Sequence, residues 1–391
     1  MRANFSKPLI FALFLFVPFV SQGQLSISNG INNVEFSGYL IGGIKQNMFK
    51  PGLTDLSKNR VFIDDARFEI EGRIKHSYEY DLEVNLADLP LLGSTPDVTA
   101  IINANATYTG FKFFDINVGY GKTPYSRSAM MPKVYSPFLN RADMLSSSLF
   151  WMRDFGMTIN KLFWHQRIHA FGGVYTGLGP LVWQGVGDPS GQPEYIGRVD
   201  FSFPARYRYR EIDYYTSPIP MVSFGMAGRY ANKTLPAGTT LILGSDGAFG
   251  DNLINGKKKM ICLDGSFQFQ GFSAQFEWHR MRADLADSTS PLLNAVPMQV
   301  ASGYFLAGGY YAQASYFAKP LKSALACRFD VFNANDLSPG VGQKLTTSYC
   351  YFLNGFNSLI RVQWTHNVKE QVLDTHKWQE QFLVGYQLLF R

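Results

Sequence analysis

The sequence predicts a transmembrane antiparallel β-barrel of about 16 strands, with the third long loop folded into the lumen. Three observations favour this fold: apolar and polar residues alternate in short segments, short and long connections alternate, and the composition is unusual. Aromatic residues make up 15% of the 391 residues and charged residues only 17%, compared with about 25% charged residues in soluble domains. A secreted β-sandwich or propeller is the alternative fold, but it explains neither the loop pattern nor the lack of a repeated blade motif.

Residues 1–23 have the features of a secretory signal peptide, and residues 24–391 form the predicted barrel domain. The apolar run Leu9–Val20 follows Arg2 and Lys7 and precedes the small residues Ser21 and Gly23. This run is shorter than the roughly 20 residues that a membrane-spanning helix needs. We therefore expect an exported protein in the cell outer membrane, with an N-terminal membrane anchor as the less favoured alternative.

The alternation that defines the strands is clearest in Asp64–Ile74. Even-numbered residues from Ala66 onward are apolar or glycine, whereas the odd-numbered residues from Arg67 to Arg73 are all charged. One face of such a strand meets lipid and the other faces the lumen. The predicted strands are Val34–Lys45, Asp64–Ile74, Tyr78–Leu86, Ile102–Tyr108, Phe114–Tyr120, Phe155–Asn160, Gln166–Thr176, Tyr195–Phe203, Val222–Tyr230, Ile261–Phe269, Phe272–Trp278, Ser302–Phe317, Ala324–Phe332, Leu345–Leu353, Leu359–His366 and Trp378–Phe390.

The connections between these strands differ systematically in length. Six are short, around Lys75, Gly110, Trp164, Gln270, Pro320 and Gly355, and Phe203–Pro220 is a long exception on the same side. The long connections on the other side are Lys50–Arg60, Gly121–Arg153, Gly177–Gln192, Asn232–Gly256, Asp284–Ala301 and Asn333–Lys344. This asymmetry is typical of outer-membrane barrels and predicts that both termini lie on the periplasmic side. The apolar last strand resembles an assembly signal, so we expect the barrel-assembly machinery and outer-membrane lipids as partners.

Motifs for catalysis or cofactor binding are not visible. The six histidines show no metal-ligating spacing, no Gly-x-Ser-x-Gly motif occurs, and the three cysteines are far apart. We therefore predict no catalytic residue, no metal site, no cofactor and no enzymatic activity; an outer-membrane lipase that uses His279 and a serine is the enzymatic alternative. The net charge of +6 is mild, so nucleic acid is not an expected partner.

The third long connection has a strong excess of basic residues. Between Lys122 and Leu149 the connection contains one acidic residue, Asp143, and four basic residues: Lys122, Arg127, Lys133 and Arg141. Arginine and lysine in a narrow pore lower the energy of an anion and raise that of a cation. We predict that these four basic residues form an anion-attracting constriction, and that a short helix spans Pro137–Leu149. A loop outside the barrel that binds acidic lipopolysaccharide is the alternative, but the aromatic content of the loop favours burial.

Charged residues of both signs are predicted on the lumen wall. They are Arg67, Arg73, Glu69, Glu71, Glu79, Asp81, Glu83, Arg198, Arg229, Arg328 and Arg361. The acids are concentrated on the second and third strands, where they either hold the basic loop by ion pairs or create a transverse field. Either role reduces the net anion selectivity. Arg206, Arg208 and Arg210 in the long periplasmic connection are expected to be solvated.

Four segments resemble those of a known family. Val118-Gly-Tyr-Gly-Lys-Thr-Pro-Tyr125, Phe138-Leu-Asn-Arg141, Arg153-Asp-Phe-Gly-Met157 and Gly172-Gly-Val-Tyr-Thr-Gly177 are similar, in this order, to segments of the phosphate-selective porin O and P family. The resemblance implies a homotrimeric porin of 16 strands whose third loop narrows the channel. It also implies that Lys122, Arg127, Lys133 and Arg141 attract anions, phosphate among them.

Two functions follow from these patterns. The favoured one is a passive aqueous channel for small, preferentially anionic solutes. The alternative is a non-conducting structural or interaction barrel in an outer-membrane export or surface-anchoring complex. It is suggested by the large apolar surface of the third loop and by the weak charge of the other loops.

Overall fold

The protein is a closed antiparallel β-barrel in the computed structural model. The structure describes residues 25–49, 60–91, 99–146, 149–184, 190–206, 209–234, 256–285, 303–334, 336, 340–369 and 378–390. The predicted signal peptide, Arg208 and the central parts of most long connections lie outside these ranges. Each strand pairs with its neighbour in sequence, and the last strand pairs with the second, which closes a ring of 16 strands as predicted.

The strands occur at or near the predicted positions. They are β1 Leu25–Ser28, β2 Asn33–Phe49, β3 Arg60–Ile74, β4 Tyr78–Asn85, β5 Ile101–Tyr108, β6 Asp115–Lys122, β7 Arg153–Phe163, β8 Ile168–Tyr175, β9 Glu194–Phe203, β10 Met221–Lys233, β11 Gly256–Phe269, β12 Phe272–Leu285, β13 Tyr304–Ala318, β14 Ser323–Asn333, β15 Gly342–Asn354, β16 Ser358–Lys369 and β17 Trp378–Phe390. Short helices are Leu86–Leu91, Arg127–Met130, Lys133–Tyr135, Asp143–Ser146, Gly179–Gln184 and Lys319–Leu321. No helix in the described ranges has the length and apolar character needed to cross a bilayer.

The short strand β1 lies outside the ring of β2–β17. It pairs with the start of β2, where Leu25 lies opposite Phe36. The other side of β2 pairs with β3, and further along β2 Gly38 lies opposite Phe390 of β17. β1 and β17 pair with the same edge of β2, and both are antiparallel to it. β1 therefore lies in line with the end of β17 along that edge.

Burial alternates along much of the barrel wall, and strictly along β9. In β9, Glu194, Arg198 and Asp200 are buried, whereas Val199 and Phe201 between and beside them are exposed. This pattern is expected where odd and even side chains point to opposite faces of a sheet. The buried, polar face of such a strand therefore points into the barrel, and the exposed, apolar face points to the lipid side.

The two-residue turns use backbone conformations that suit hairpins. Gln270 and Gly271 between β11 and β12 both have positive φ angles, of 48° and 88°. Positive φ at both central residues is the feature of the type I′ turn, whose twist matches that of the flanking strands. This turn fixes the register of β11 and β12.

The long connection between β9 and β10 folds inward instead of extending into solvent. Ile212 is 1% exposed and packs with Phe352 and Phe356 at the short-turn end of the barrel. We predicted that Arg210 is solvated, but its guanidinium lies 5.0 Å from the centre of the Tyr135 ring. A cation over an aromatic face gains electrostatic and apolar contact, which explains the difference. Arg206 is exposed, as expected.

Candidate functional site

The third loop, residues 123–152, connects β6 and β7. Its base is closed where the Thr123 backbone N–H donates to the Met152 carbonyl oxygen at 3.0 Å. The Ser126 hydroxyl oxygen accepts from the Ala129 backbone N–H at 3.1 Å and caps the helix Arg127–Met130. A serine in this position satisfies a backbone donor that the helix cannot.

The predicted helix over Pro137–Leu149 is shorter in the structure. It covers only Asp143–Ser146, and residues 147–148 lie outside the described ranges. At Leu139 the backbone N–H donates to the Gln363 side chain at 2.8 Å. The chain here makes its hydrogen bonds to the barrel wall, so it does not continue the helical pattern.

Four arginines of the barrel wall donate hydrogen bonds to backbone carbonyl oxygens of the third loop. The contacts are Arg198 to Tyr125 at 3.1 Å, Arg229 to Trp151 at 3.0 Å, Arg328 to Asn140 at 3.1 Å, and Arg361 to Ser136 at 3.0 Å and Val134 at 3.1 Å. All four side chains are nearly fully buried. These arginines were predicted on the lumen wall, and the structure places them under the loop.

The start of the loop is also held by ion pairs and polar contacts. Arg127 is 1% exposed and its Nε donates to Asp264 Oδ1 on β11 at 2.6 Å. Glu277 on β12 accepts from the Ser128 backbone N–H at 3.1 Å and from the Ser126 hydroxyl. Because these partners belong to the buried face of the wall, we infer that the loop lies inside the barrel.

Apolar packing supports the same placement. Tyr125, Leu145 and Phe150 of the loop pack with Met281 and Tyr311 of the wall, and all five are at least 96% buried. Burial of each such side chain contributes about 1.5–3 kcal/mol relative to exposure. The loop is thereby held mainly against strands β9–β17, and open space remains along β2–β8 and, towards the long connections, next to β14–β17.

Two cavities occupy that open space. The first, of about 440 Å³, lies towards the short turns and is lined by residues of β2–β8 and the loop. The second, of about 550 Å³, lies towards the long connections. Within the described ranges, four residues line both cavities: Arg67, Lys133, Arg141 and Arg153. All four are basic, and we call this set the basic neck.

The charges of the basic neck are only partly paired. Arg67 pairs with Asp65 at 2.7 Å and Glu83 at 2.8 Å, and Lys133 pairs with Asp64. In contrast, no ion-pair partner of Arg141 or Arg153 is found among the described residues. The neck therefore carries an excess of positive charge.

Arg141 and Arg153 are held by neutral groups. Arg141 donates to the carbonyl oxygens of Ser128 and Met131, the latter at 2.8 Å, and burial lowers its pKa. Arg153 Nε lies 3.5 Å from Asn103 Oδ1. The positive charges of Arg67 and Arg141 are close enough to repel the positive charge of Arg153. Lys122, close by in the first cavity, donates to the Met130 carbonyl oxygen at 3.2 Å and also has no carboxylate partner in the described part of the chain.

An acidic wall lines the first cavity beside the basic neck. It consists of Glu69, Asp81 and Glu83 of β3 and β4, and Glu83 pairs with Arg67 of the neck at 2.8 Å. In the register of the two strands, Glu69 lies opposite Glu83 and Glu71 opposite Asp81. Like charges directly opposite each other destabilise a sheet, so their presence indicates a role other than stability. The arrangement places carboxylates and cationic groups along the same cavity.

The predicted site residues separate into three groups in the structure. Those that line a cavity are Lys122, Lys133, Arg141, Arg67, Glu69, Asp81, Glu83 and Arg328. Arg127, Arg198, Arg229 and Arg361 are instead buried between loop and wall. Arg73 and Glu79 form a half-exposed pair near the β3–β4 turn, and Glu71, like them, lines neither cavity.

Sequence reasoning missed Arg153, Lys45 and Lys344 as cavity residues. Arg153 follows the loop directly and begins one of the family-like segments, so that segment could have indicated it. Lys45 and Lys344 stand near the ends of predicted strands, where the alternation of the sequence does not show which residues reach the opening.

The connection between β9 and β10, at the short-turn end of the barrel, also supports the third loop. The Ser136 hydroxyl of the loop donates to Glu211 of the β9–β10 connection at 2.6 Å. Glu211 is 5% exposed, and burial raises its pKa. The Glu211 backbone N–H also donates to the Tyr135 carbonyl oxygen at 3.4 Å. The tip of the loop is therefore held both by the wall and by this connection.

Comparison with known proteins agrees with the fold. Residues 54–176 match the family model of the phosphate-selective porins O and P. A search of curated proteins by sequence finds no match. Among solved structures, the anion-selective porin of Comamonas acidovorans is similar at a TM-score of 0.58 and 12% identity, covering 92% of this chain and 100% of that chain.

Two further structures show the same architecture. The trimer form of in-vitro folded OmpT, an outer-membrane protein of Vibrio cholerae, has a TM-score of 0.55 and 10% identity, covering 92% of this chain and 99% of that chain. The outer-membrane channel DcaP of Acinetobacter baumannii has a TM-score of 0.55 and 11% identity, with 95% and 100% covered. The chain therefore has the fold of outer-membrane porins, and its residues 54–176 are similar to the phosphate-selective porin O and P family.

Proposed function

We propose that the protein is an outer-membrane porin that forms a passive aqueous channel for small, preferentially anionic solutes. The single observation that carries this proposal is the basic neck, because the four residues that line both cavities are all cationic. A solute that crosses from one cavity to the other passes Arg67, Lys133, Arg141 and Arg153. At least two of these, Arg141 and Arg153, keep their charge uncompensated among the described residues.

The physics of a narrow opening favours anions here. An ion in the neck loses part of its hydration, and fixed positive charges stabilise an anion and repel a cation. Guanidinium groups also donate two parallel hydrogen bonds to phosphate or carboxylate oxygens. Phosphate and small carboxylates are therefore the favoured solutes. The acidic wall keeps the selectivity moderate.

The selectivity of single channels tests this function. Purified protein is inserted into a planar bilayer with unequal KCl concentrations on the two sides, and the reversal potential is measured. We expect a reversal potential that corresponds to preferential chloride flux, and a lower chloride conductance when phosphate is added. A cation-preferring reversal potential, or the absence of conductance in protein that is folded, contradicts the proposal.

The cellular setting follows from the same assignment. Residues 1–23 direct export and are removed, the barrel-assembly machinery inserts residues 24–391, and lipids of the outer membrane contact the apolar face. That face includes the exposed residues Val199 of β9, Phe224 and Met226 of β10, and Leu325 of β14.

The barrel wall is lower on one side, which supports a homotrimer. Strands β4, β5, β6 and β8 have 8 residues each, whereas β10–β13 have 13 to 15. A tilted membrane strand needs about 9–11 residues. The short side alone fits a bilayer poorly, so contact with another copy is favoured. We expect the protein mass of the detergent complex, measured by light scattering with detergent subtracted, to equal three chains; a mass of one chain contradicts the trimer.

A non-conducting interaction barrel is the second candidate. It is favoured by one observation: the third loop and the β9–β10 connection fill the half of the barrel next to β9–β17. The bilayer measurement separates the two functions, because a barrel that serves only as a scaffold shows no ion flux when folded and inserted.

A further inference from the structure

The hairpin of β11 and β12 brings four residues of metal-ligand type together on its buried face. Cys262 lies directly opposite His279, and Asp264 lies directly opposite Glu277. Residues two apart on a strand point to the same face, so both pairs project towards the third loop. None of the predicted site groups accounts for this cluster.

The distances within the cluster suit coordination of one ion. The Cys262 Sγ atom lies 3.7 Å from His279 Nε2 and 3.9 Å from Glu277 Oε1, and His279 Nε2 lies 2.6 Å from Glu277 Oε1. Bonds of about 2.0–2.3 Å in a tetrahedral zinc site separate ligand atoms by about 3.4–3.6 Å. The two sulfur distances exceed this range by only about 0.1–0.3 Å, and the histidine and glutamate atoms must move apart by less than about 1 Å.

We propose that Cys262, Glu277 and His279 form a binding site for a divalent metal ion of the zinc type. A thiolate, an imidazole and a carboxylate are the ligand set that Zn²⁺ accepts. The ion replaces the thiol proton of Cys262 and the proton between His279 Nε2 and Glu277 Oε1, and both protons leave to solvent. The charge of the ion is then balanced by the thiolate and the carboxylate.

Asp264 is not counted among the three ligands. Its two oxygens already pair with Arg127 at 2.6 Å and with Arg198 at 2.7 Å. Its Oδ2 atom lies 3.8 Å from Cys262 Sγ, so this carboxylate or a water molecule supplies the fourth position. The two arginines keep Asp264 from adding uncompensated negative charge.

The site would fasten the third loop to the wall. The ring of His279 lies between loop residues, with its centre 5.5 Å from that of Phe150 and 5.3 Å from that of Tyr125. Glu277 binds Ser126 and Ser128 of the loop. Since all three ligands are at least 99% buried, the ion enters while the barrel folds and is retained afterwards.

Metal content after refolding tests the site. Full-length protein is refolded into detergent in the presence of Zn²⁺, passed over a desalting column with chelator, and analysed by mass spectrometry for zinc per chain. We expect roughly one ion per chain in the wild type, and at least a tenfold loss in Cys262→Ser and His279→Gln. Cys327→Ser, which removes an exposed thiol away from the hairpin, serves as the matched control and retains the zinc.

Cobalt gives a readout that does not depend on the variants folding. Wild-type protein refolded with Co²⁺ is expected to show the near-ultraviolet absorption of a thiolate–cobalt bond and the visible bands of a tetrahedral site. Absence of the thiolate band in folded wild type, or zinc retained equally in the wild type and in folded Cys262→Ser, overturns the proposal.

Discussion

Replacing Arg141 or Arg153 with glutamine is expected to shift the reversal potential of the channel towards that of cations. Both side chains belong to the basic neck, and neither has an ion-pair partner among the described residues. A unit charge about 5 Å from an ion at an effective dielectric constant of about 20 contributes roughly 3 kcal/mol. Salt and the neighbouring charges of the neck screen this interaction, and a remaining difference of about 1 kcal/mol between an anion and a cation lowers the anion-to-cation permeability ratio about fivefold.

Two matched variants show whether charge is the cause. Arg141→Lys keeps the charge but not the geometry of the two carbonyl contacts, so it is expected to preserve most of the selectivity. Arg282→Gln removes a positive charge that lies outside the neck, in an exposed pair with Asp284. It is expected to leave the reversal potential unchanged. Equal shifts for Arg282→Gln and Arg141→Gln would show that net charge alone acts and that the neck has no special role.

Replacing Arg361 with leucine is expected to release the tip of the third loop and to increase single-channel conductance. This arginine is 1% exposed and donates to the carbonyl oxygens of Ser136 and Val134 and to the Gln387 side chain. Its loss leaves buried acceptors without donors, at a cost of about 1–3 kcal/mol for each group. We expect roughly a doubling of conductance and weaker anion selectivity, because Lys133 and Arg141 move with the loop.

Arg73→Leu is the control for this change. It is the same substitution on a lumen-facing arginine, but Arg73 is half exposed and pairs with Glu79 away from the loop. Its conductance is expected to stay close to that of the wild type. Limited proteolysis from the periplasmic side gives a second readout, since a released loop becomes accessible in Arg361→Leu only. A conductance of Arg361→Leu equal to that of Arg73→Leu would show that the arginine does not hold the loop.

The barrel could be predicted in detail because it depends on a local pattern. Period-two alternation identifies a strand and its two faces, and loop lengths identify the two ends of the barrel. The closed ring of 16 strands confirms that prediction. The same pattern assigns a side chain to the lumen face but does not show what covers it. The alternation therefore assigns Arg198 and Arg361 to a polar face, but it gives no sign of the loop whose carbonyl oxygens they bind in the structure.

Long-range pairing limits what the sequence reveals about the site. Arg127 and Lys133 are both basic residues of the third loop, so the sequence does not distinguish them. In the structure Arg127 pairs with Asp264, which is 137 residues away, and no local feature of the sequence links the two. The solvated position that we predict for Arg210 is wrong for the same reason, because Tyr135, the aromatic residue that it contacts, belongs to the third loop. In contrast, the Cys262–His279 pair follows from the predicted turn at Gln270–Gly271, because a two-residue turn fixes the register. The sequence alone is therefore sufficient to place Cys262 opposite His279.

The eccentric position of the open space divides the chain into two contiguous parts. The wall side chains of the first cavity come from Ser37 to Phe171, with Leu389 as the only exception, and the basic neck lies wholly between Arg67 and Arg153. Strands β9–β17 hold most of the third loop in place, and residues of β14–β17 also line the second cavity. The neck that joins the two cavities and the main support of the loop thus come from separate stretches of sequence. A single exchange of the first stretch between related barrels would transfer the solute preference while the recipient's supporting half stays intact.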